Sequence, residues 1–344
     1  MRGAGGSTAA RESSVSAAAE RVAHERVVDE HRRYVPGEPL RRYVAGYTGY
    51  RQRGLPPARH RGLPSPYLTL IFTLDEPLTI EAHPDRGQPP GEFGTLLGGL
   101  HSVPALITHA GAQSGIQVAL RPLGARALLG LPAGELAGLD VPAEAVLGCV
   151  CAELRDRIRL APGWPERFAV LDEILLRRAA AAALRPDALC SGALGPDAAS
   201  PEVGWAWQRL LRTGGALRVS ELAAATGWSG RHLTSRFRAE IGLTPKAAAR
   251  VIRFDRARKL LVRNLAGATA DAGYRPAHDR PAHYRSAHYG LADLAADCGY
   301  FDQAHLAREF RALAGCPPSR WLAEEFRNVQ AGNWLDGESW EHHS

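Results

Sequence analysis

The chain is poor in the features that mark secreted and membrane proteins. Its 344 residues contain five cysteines, an odd number that lacks the spacing of a disulfide framework and favours a reduced cytoplasmic protein. No apolar run approaches the roughly 20 residues that a transmembrane helix requires. The N-terminus is rich in Arg, Ala and Ser and has no apolar secretory segment, so we expect residues 1–34 to be a disordered leader.

Lysine is almost absent: of the 42 basic residues, only Lys246 and Lys259 are lysines. The basic residues are concentrated in one part of the chain. Residues 202–328 hold 20 Lys+Arg and 12 Asp+Glu, a net charge of +8, whereas the whole chain has a net charge of +6. The rest is therefore slightly acidic, and the basic part has the charge expected of a nucleic-acid-binding surface. A solvated surface can carry the same charge, so charge alone does not decide the function.

The chain does contain an internal repeat between residues 217 and 322. The gaps from Leu to Gly, from Phe to Gly and from Phe to Pro are the same in both copies, and only the gap from Gly to Phe differs, by one residue. The matched positions are Leu222, Gly227, Phe237, Gly242 and Pro245 in the first copy and Leu294, Gly299, Phe310, Gly315 and Pro318 in the second. Agreement at so many positions indicates an internal duplication.

Each copy has the pattern of a helix-turn-helix. In the first, Leu222 lies on a short helix, and Gly227 suits a turn that needs positive φ. Ser229 is placed to cap the next helix, on which Leu233 and Phe237 lie four residues apart on one buried face. The opposite face carries donors of the kinds that read base edges and hold phosphates. Any helical hairpin can bury Leu and Phe in this way, but two copies in register favour a duplicated DNA-binding motif.

Residues 217–322 resemble the C-terminal DNA-binding domain of AraC/XylS-type transcriptional regulators. Residues 251–261 are similar to the helix that links the two motifs of that family, and residues 299–306 are similar to its second-motif signature. The resemblance implies that both recognition helices enter successive major grooves of double-stranded DNA. By position, the base-reading residues would be Arg231, Thr234, Ser235, Gln303, His305 and Arg308. The phosphate contacts would be Arg238, Arg253, Arg256 and Arg311.

Residues 35–184 are predicted to form a separate domain. Apolar and polar residues alternate over 67–74, which predicts a strand with one buried face, and 78–82 and 115–120 are further strand candidates. Apolar residues then recur at helical spacing over 143–160 and 164–184. Strands followed by helices favour an α+β domain. The apolar helix faces can either cover the sheet or form a dimer interface.

This N-terminal region resembles a sensor-type domain that is attached to such DNA-binding domains. Residues 63–74 and 98–117 carry the likeness, which implies effector binding or self-association. The candidate effector contacts are Arg59, His60, His101, His109 and Gln113. Each of these side chains can also serve only to satisfy a turn or a loop end.

The remaining segments complete the predicted organisation. Residues 185–201 are rich in Gly, Pro and Ala and are predicted to be a linker, after which residues 202–328 form the DNA-binding domain. Residues 266–290 read as a low-complexity insertion with three near-copies of Arg-Pro-Ala-His, and residues 329–344 as a tail. The insertion's histidines have no Cys or carboxylate at ligand spacing, so we predict no metal site. Whether the insertion loosens the second motif is left open.

The predicted fold is therefore an α+β N-terminal domain followed by an all-α C-terminal domain of two helix-turn-helix subdomains joined by a linker helix. The predicted function is a cytoplasmic, sequence-specific transcriptional regulator without a cofactor. Its partner is DNA, and the other candidate partners are a small-molecule effector, RNA polymerase and a second copy of the chain, but no membrane. The effector, the operator, and the choice between activation and repression stay open.

The alternative is an enzyme, either a DNA-repair alkyl acceptor or a metal-dependent enzyme, fused to an AraC-type DNA-binding domain. An alkyl-accepting thiolate requires a nearby histidine and acid, and none of the five cysteines lies in a Pro-Cys-His sequence. Residues 35–184 contain no His-x-His or His-x-x-x-His pair. The sequence therefore favours a protein that is not an enzyme.

Overall fold

The computed structural model describes residues 27–184, 200–270 and 290–325. The predicted linker up to residue 199, the insertion from residue 271 to 289 and the predicted tail lie outside the described residues. The predicted leader, residues 1–34, is contradicted over its last seven residues, because Val28–Tyr34 forms a strand. That strand pairs along its whole length with its neighbour in the sheet, from Val28 opposite Arg53 to Tyr34 opposite Tyr47.

Two antiparallel sheets form the first part of the N-terminal domain. The strands are β1 (Val28–Tyr34), β2 (Val44–Arg53), β3 (Ala58–Gly62), β4 (Leu68–Thr73), β5 (Leu78–Ala82), β6 (Gly91–Phe93), β7 (Thr95–Gly98), β8 (Ala105–His109), β9 (Gln113–Leu120) and β10 (Asp140–Pro142). The larger sheet has the order β1-β2-β9-β4-β7-β10, and the smaller has the order β3-β8-β5-β6. Buried side chains from β4 and β7 meet those from β5 and β8, so the two sheets pack face to face.

Strand β4 shows why the prediction of a single buried face was wrong. Leu70 and Phe72 point into the main core, as the alternation predicts. Ile71, on the opposite face, packs against Ile80 and Ile107 of the smaller sheet. Because β4 pairs with both β7 and β9 and is covered on both faces, alternation alone cannot describe it.

Four helices complete the domain, and their apolar faces cover the larger sheet. They are α1 (Ala125–Leu129), α2 (Glu144–Leu147), α3 (Cys149–Leu160) and α4 (Trp164–Ala183). Phe168 of α4 stacks on the rings of Tyr34 and Tyr47, at 5.3 and 6.0 Å between centroids. The predicted helix over 143–160 is broken at Gly148, whose φ of 59° lies in the left-handed region that Gly tolerates best.

The C-terminal domain is built entirely of helices in its described residues. They are α5 (Pro201–Arg212), α6 (Val219–Thr226), α7 (Gly230–Ile241), α8 (Pro245–Ala270), α9 (Leu291–Asp297), α10 (Gln303–Ala314) and α11 (Pro318–Glu325). Helices α6 and α7 form one hairpin and α9 and α10 a second. The long helix α8 lies between them, and its Phe254 packs edge-to-face on Phe310 of α10 at 4.9 Å. The predicted fold class, α+β followed by all-α, is thus confirmed.

Candidate nucleic-acid interface

The first hairpin has the local geometry that its sequence predicts. Gly227 adopts a φ of 70° and ends α6 in the left-handed conformation, which costs a glycine little. The Ser229 hydroxyl then caps α7 by accepting the backbone N–H of His232 at 3.2 Å. Leu233 and Phe237 are fully buried. The turn and the cap therefore fix where α7 begins and which face it presents to solvent.

The second hairpin repeats this geometry with different residues. Gly299 has a φ of 71°, and the Asp302 carboxylate accepts the backbone N–H of His305 at 2.6 Å. The one-residue difference between the copies falls between these two positions. It leaves Phe301 92% exposed, while the helix that follows is capped as in the first copy. An aromatic ring also packs edge-on against the third helical residue in both hairpins, Trp228 on His232 and Tyr300 on His305.

Counting from each capping residue aligns the two outward faces. Ser235 and Arg308 are both sixth from the cap, Arg238 and Arg311 are both ninth, and all four are exposed. Arg231 and Gln303 are exposed as well. Positions separated by three to four residues share one helix face, so Arg231, Thr234, Ser235 and Arg238 form one outward row on α7. On α10 the corresponding row is His305, Arg308 and Arg311, and Gln303 lies outside it at the start of the helix.

Two of the predicted base-reading residues are also held by contacts within the hairpins. The Thr234 hydroxyl donates to the Gly230 carbonyl at 2.7 Å, so its proton is already used and its oxygen is left as an acceptor. The His305 ring accepts the backbone N–H of Phe301 at Nδ1, 3.2 Å away. A neutral ring in this arrangement carries its proton on Nε2. His305 can therefore donate one hydrogen bond to a base while it braces the turn.

The two predicted phosphate contacts on α8 have different surroundings. Arg253 donates from Nη1 to the Gly299 carbonyl at 3.4 Å and lies over the ring of Tyr300. Arg256 is exposed and lies next to Gly214, in the turn before α6. Of the four predicted phosphate contacts, Arg253 is thus committed in part to holding the second turn against α8.

A groove of about 750 Å³ runs along the outward face of α7. Its lining includes Arg231, Thr234, Ser235 and Arg238 from the predicted interface. The remaining lining residues are Gly134, Glu135, Gly230, Ala239 and Thr244. Gly134 and Glu135 belong to the N-terminal domain, and sequence analysis missed them because no local pattern connects them to α7.

A second hollow of about 60 Å³ lies within the N-terminal domain and reaches the C-terminal helices. Gln117 and Asp140 line it from the larger sheet, His101 lines it from the loop after β7, and Arg258 and Trp321 line it from the C-terminal domain. The His101 ring donates from Nδ1 to the carbonyl of Val103 at 2.7 Å, and burial lowers the pKa of His101. A neutral ring with Nδ1 protonated offers Nε2 as an acceptor.

The five predicted effector contacts do not form one site, although the rings of His60 and His109 lie 6.0 Å apart between centroids. His101 lines the hollow, whereas Arg59 forms an exposed ion pair with Glu81 at 2.7 Å. His60 is buried, and burial, followed by the charge of His109, lowers the pKa of His60 to about 3. Gln113 donates to the Gln52 side chain at 2.8 Å. Arg59, His60, His109 and Gln113 are absent from the hollow's lining.

Comparison with known proteins gives a family match in the N-terminal domain. A family model described as a domain of unknown function (DUF6597) matches residues 32–142. No curated protein sequence matches the chain.

Solved structures with a similar overall arrangement include three of ToxT. ToxT from Vibrio cholerae O395 is 10% identical, with a TM-score of 0.43, over 85% of this chain and 98% of that one. An apo ToxT variant from Vibrio cholerae strain SCE256 is 8% identical, with a TM-score of 0.45, over 81% and 97%. Unsaturated fatty acid bound wild-type ToxT from that strain is 8% identical, with a TM-score of 0.44, over 81% and 94%.

The geometry of the described surface indicates what kind of partner it can bind. It presents two helix faces with matched arginines, both attached to one long helix. None of the helices within 27–184, 200–270 and 290–325 combines the length and apolar character needed to cross a membrane. Exposed donors on two separate helices suit an extended anionic partner with repeating hydrogen-bond acceptors.

Proposed function

We propose that this chain is a sequence-specific DNA-binding regulator of transcription, of the AraC/XylS type in its C-terminal domain, which acts in the cytoplasm. The observation that carries the proposal is the duplicated hairpin. A turn glycine with positive φ, a side-chain cap and an exposed arginine nine residues after the cap occur at both α7 and α10. A hairpin that only fills a core has no need for matched donors on its solvent face.

Each predicted contact has a chemical role on DNA. Arg231 and Arg308 can bond O6 and N7 of guanine in a bidentate manner, and Gln303 can bond N6 and N7 of adenine. Thr234, Ser235 and His305 supply single hydrogen bonds. Arg238, Arg253, Arg256 and Arg311 are the proposed phosphate contacts, which set position without reading sequence.

Helix α8 supports the two-groove arrangement. Arg250 of α8 forms an ion pair with Glu309 of α10 at 2.7 Å, and Phe254 packs on Phe310. The second hairpin is thus attached directly to the helix that also carries the first. DNA presents its major groove on one face every 34 Å or so, and a common attachment helps two recognition helices to meet that spacing.

The N-terminal domain is the proposed sensor, and its hollow is the proposed effector site. His101 as an acceptor and the buried Trp321 indole N–H, which has no hydrogen-bond partner among the described residues, suit a small polar ligand. The volume of about 60 Å³ is below the roughly 300–1,000 Å³ of drug-sized sites. A larger effector would have to displace side chains at the domain junction. RNA polymerase and a second copy of the chain are further proposed partners.

The experiment that tests the function is selection of bound sequences from a random DNA pool by the purified full-length protein. We expect an enriched motif of two blocks about one helical turn apart. One short block would show that only one hairpin reads sequence. Lack of enrichment, both alone and with cell extract as a source of effector, would contradict the proposal. A double variant, Arg231→Ala with Arg308→Ala, is the control and should lose the enrichment.

A further inference from the structure

The N-terminal domain touches the first recognition helix through a turn of 3-10 helix, Ala133–Leu136. Gly134 lies so close that a Cβ at this position would clash with the carbonyl oxygen of Ala239. On the other side, Gly242 has a φ of 95°, and a Cβ there would lie 3.2 Å from the carbonyl oxygen of Ala133. The contact is therefore one of backbone against backbone, and it depends on glycine on both sides.

An ion pair stabilises the same contact between the N-terminal domain and α7. Arg126 of α1 reaches Glu240 of α7 with two nitrogens, Nε at 3.0 Å from Oε1 and Nη2 at 2.8 Å from Oε2. The Glu240 side chain is only 7% exposed. Because a buried carboxylate is costly once its partner is removed, this pair makes the contact between the domains both firm and sensitive to charge.

The turn contacts the C-terminal end of α7, at Arg238, Ala239 and Gly242, and borders the face that is proposed to read DNA. Gly134 and Glu135 line the same groove as Arg231, Ser235 and Arg238. A helix with its side chains is about 10–12 Å across, and the major groove is about 12 Å wide. A recognition helix fills that width, so no room is left for a second segment in contact with its readout face. Glu135 is exposed and lines the same groove, so its negative charge lies beside the proposed DNA-contacting residues.

We propose that the 133–136 turn is an autoinhibitory element. Docked on α7, it blocks the readout face sterically and repels phosphates through Glu135, and DNA binds when the turn leaves α7. Arg126 and Glu240 hold the blocked state. The inference rests on the proposed DNA-binding function, of which it is the regulation, and it needs no assumption about the effector.

The first test is Glu135→Lys in the full-length chain, with DNA affinity measured on the enriched motif. Its control is Glu92→Lys, a change of the same charge at an exposed position on β6, away from the groove lining. We expect Glu135→Lys to bind about fivefold or more tightly than Glu92→Lys, a ratio typical of coupled sites. Equal gains in the two variants would mean that net charge alone acts, and would overturn the role of Glu135.

The second test reverses the ion pair. Arg126→Glu and Glu240→Arg should each tighten DNA binding by opening the contact, and the double variant should return affinity toward that of the parent. Amide hydrogen exchange of residues 133–138, measured without DNA, should rise in the single variants and fall back in the double. Single variants that exchange faster but bind DNA no more tightly would overturn autoinhibition.

These readouts separate the inference from the function on which it rests. If the parent enriches a DNA motif but none of the variants binds it more tightly, the autoinhibitory turn is wrong and the regulator stands. If the parent enriches a motif only with cell extract, and the opened variants enrich it without extract, both stand. If neither the parent nor any opened variant enriches DNA, although hydrogen exchange shows that the contact has opened, both are wrong.

Discussion

At the scale of single residues, Arg231 offers the clearest separation of base reading from phosphate binding. Replacing Arg231 by Ala should cost about 1–3 kcal/mol on the cognate site and relax the preference at one base position. The measurement is a titration of cognate DNA and of a set of single-base variants. Arg236→Ala is the matched control, because Arg236 is an exposed arginine of α7 that is absent from the groove lining. Equal losses on cognate and random DNA would make Arg231 a phosphate contact.

His60 provides a residue-scale prediction about pH. Its pKa is lowered to about 3 in the folded protein, chiefly by burial, against about 6.5 in an unfolded chain. Between these values the unfolded state binds more protons, so His60 makes stability fall as pH drops from about 6.5 toward 3. Urea midpoints should therefore fall more between pH 7 and pH 5 in the parent than in His60→Gln and His60→Phe. The same decrease in all three proteins would assign the pH dependence to other groups.

At the scale of elements, the two capping residues are predicted to contribute similar amounts to stability. Ser229→Ala and Asp302→Ala each remove the side chain that accepts the N–H of the third helical residue. We expect each to lower the free energy of unfolding by about 1 kcal/mol, measured by urea denaturation. Ser235→Ala is the control, since this exposed serine lies within α7 and not at its start. A loss in Ser235→Ala as large as that in Ser229→Ala would argue against the capping role.

Structural features that depend only on residues close together in the sequence were predictable. The turns at Gly227 and Gly299, the caps that follow them and the buried Leu and Phe all depend on residues within one helical hairpin. Strand β5 agrees with its predicted bounds, because 78–82 alternates clearly and is closed by turns. The helix break at Gly148 was not predictable in this way. Apolar residues keep their four-residue spacing across it, but the backbone there has positive φ and interrupts the helix.

Contacts between distant parts of the chain were not predictable in the same way. The groove depends on Gly134 meeting Ala239, residues separated by about a hundred positions with no shared pattern. The hollow in the N-terminal domain likewise depends on α8 and α11 reaching the sheets, which brings Arg258 and Trp321 to His101. The candidate effector residues were selected by residue type alone, and residue type does not specify which side chains face the hollow.

At the scale of the whole molecule, charge is divided between the two domains. The positive excess lies within 202–328, where the matched arginines are exposed. DNA affinity should therefore fall steeply with salt, with the logarithm of the binding constant decreasing by about 0.9 for each phosphate contact per unit of log salt. Arg238→Ala and Arg311→Ala should each reduce that slope by about one. A slope that neither variant changes would remove both from the phosphate contacts.

The attachment of the second hairpin to α8 has an evolutionary consequence. Helix α8 spans 26 residues, about 39 Å at the usual rise, and the hairpin is fixed to it through Phe310 and Glu309. The position of the second hairpin is therefore set by its contacts with α8. Because these contacts do not involve the residues between 270 and 290, slippage of a short DNA repeat in that part of the coding sequence would leave them unchanged.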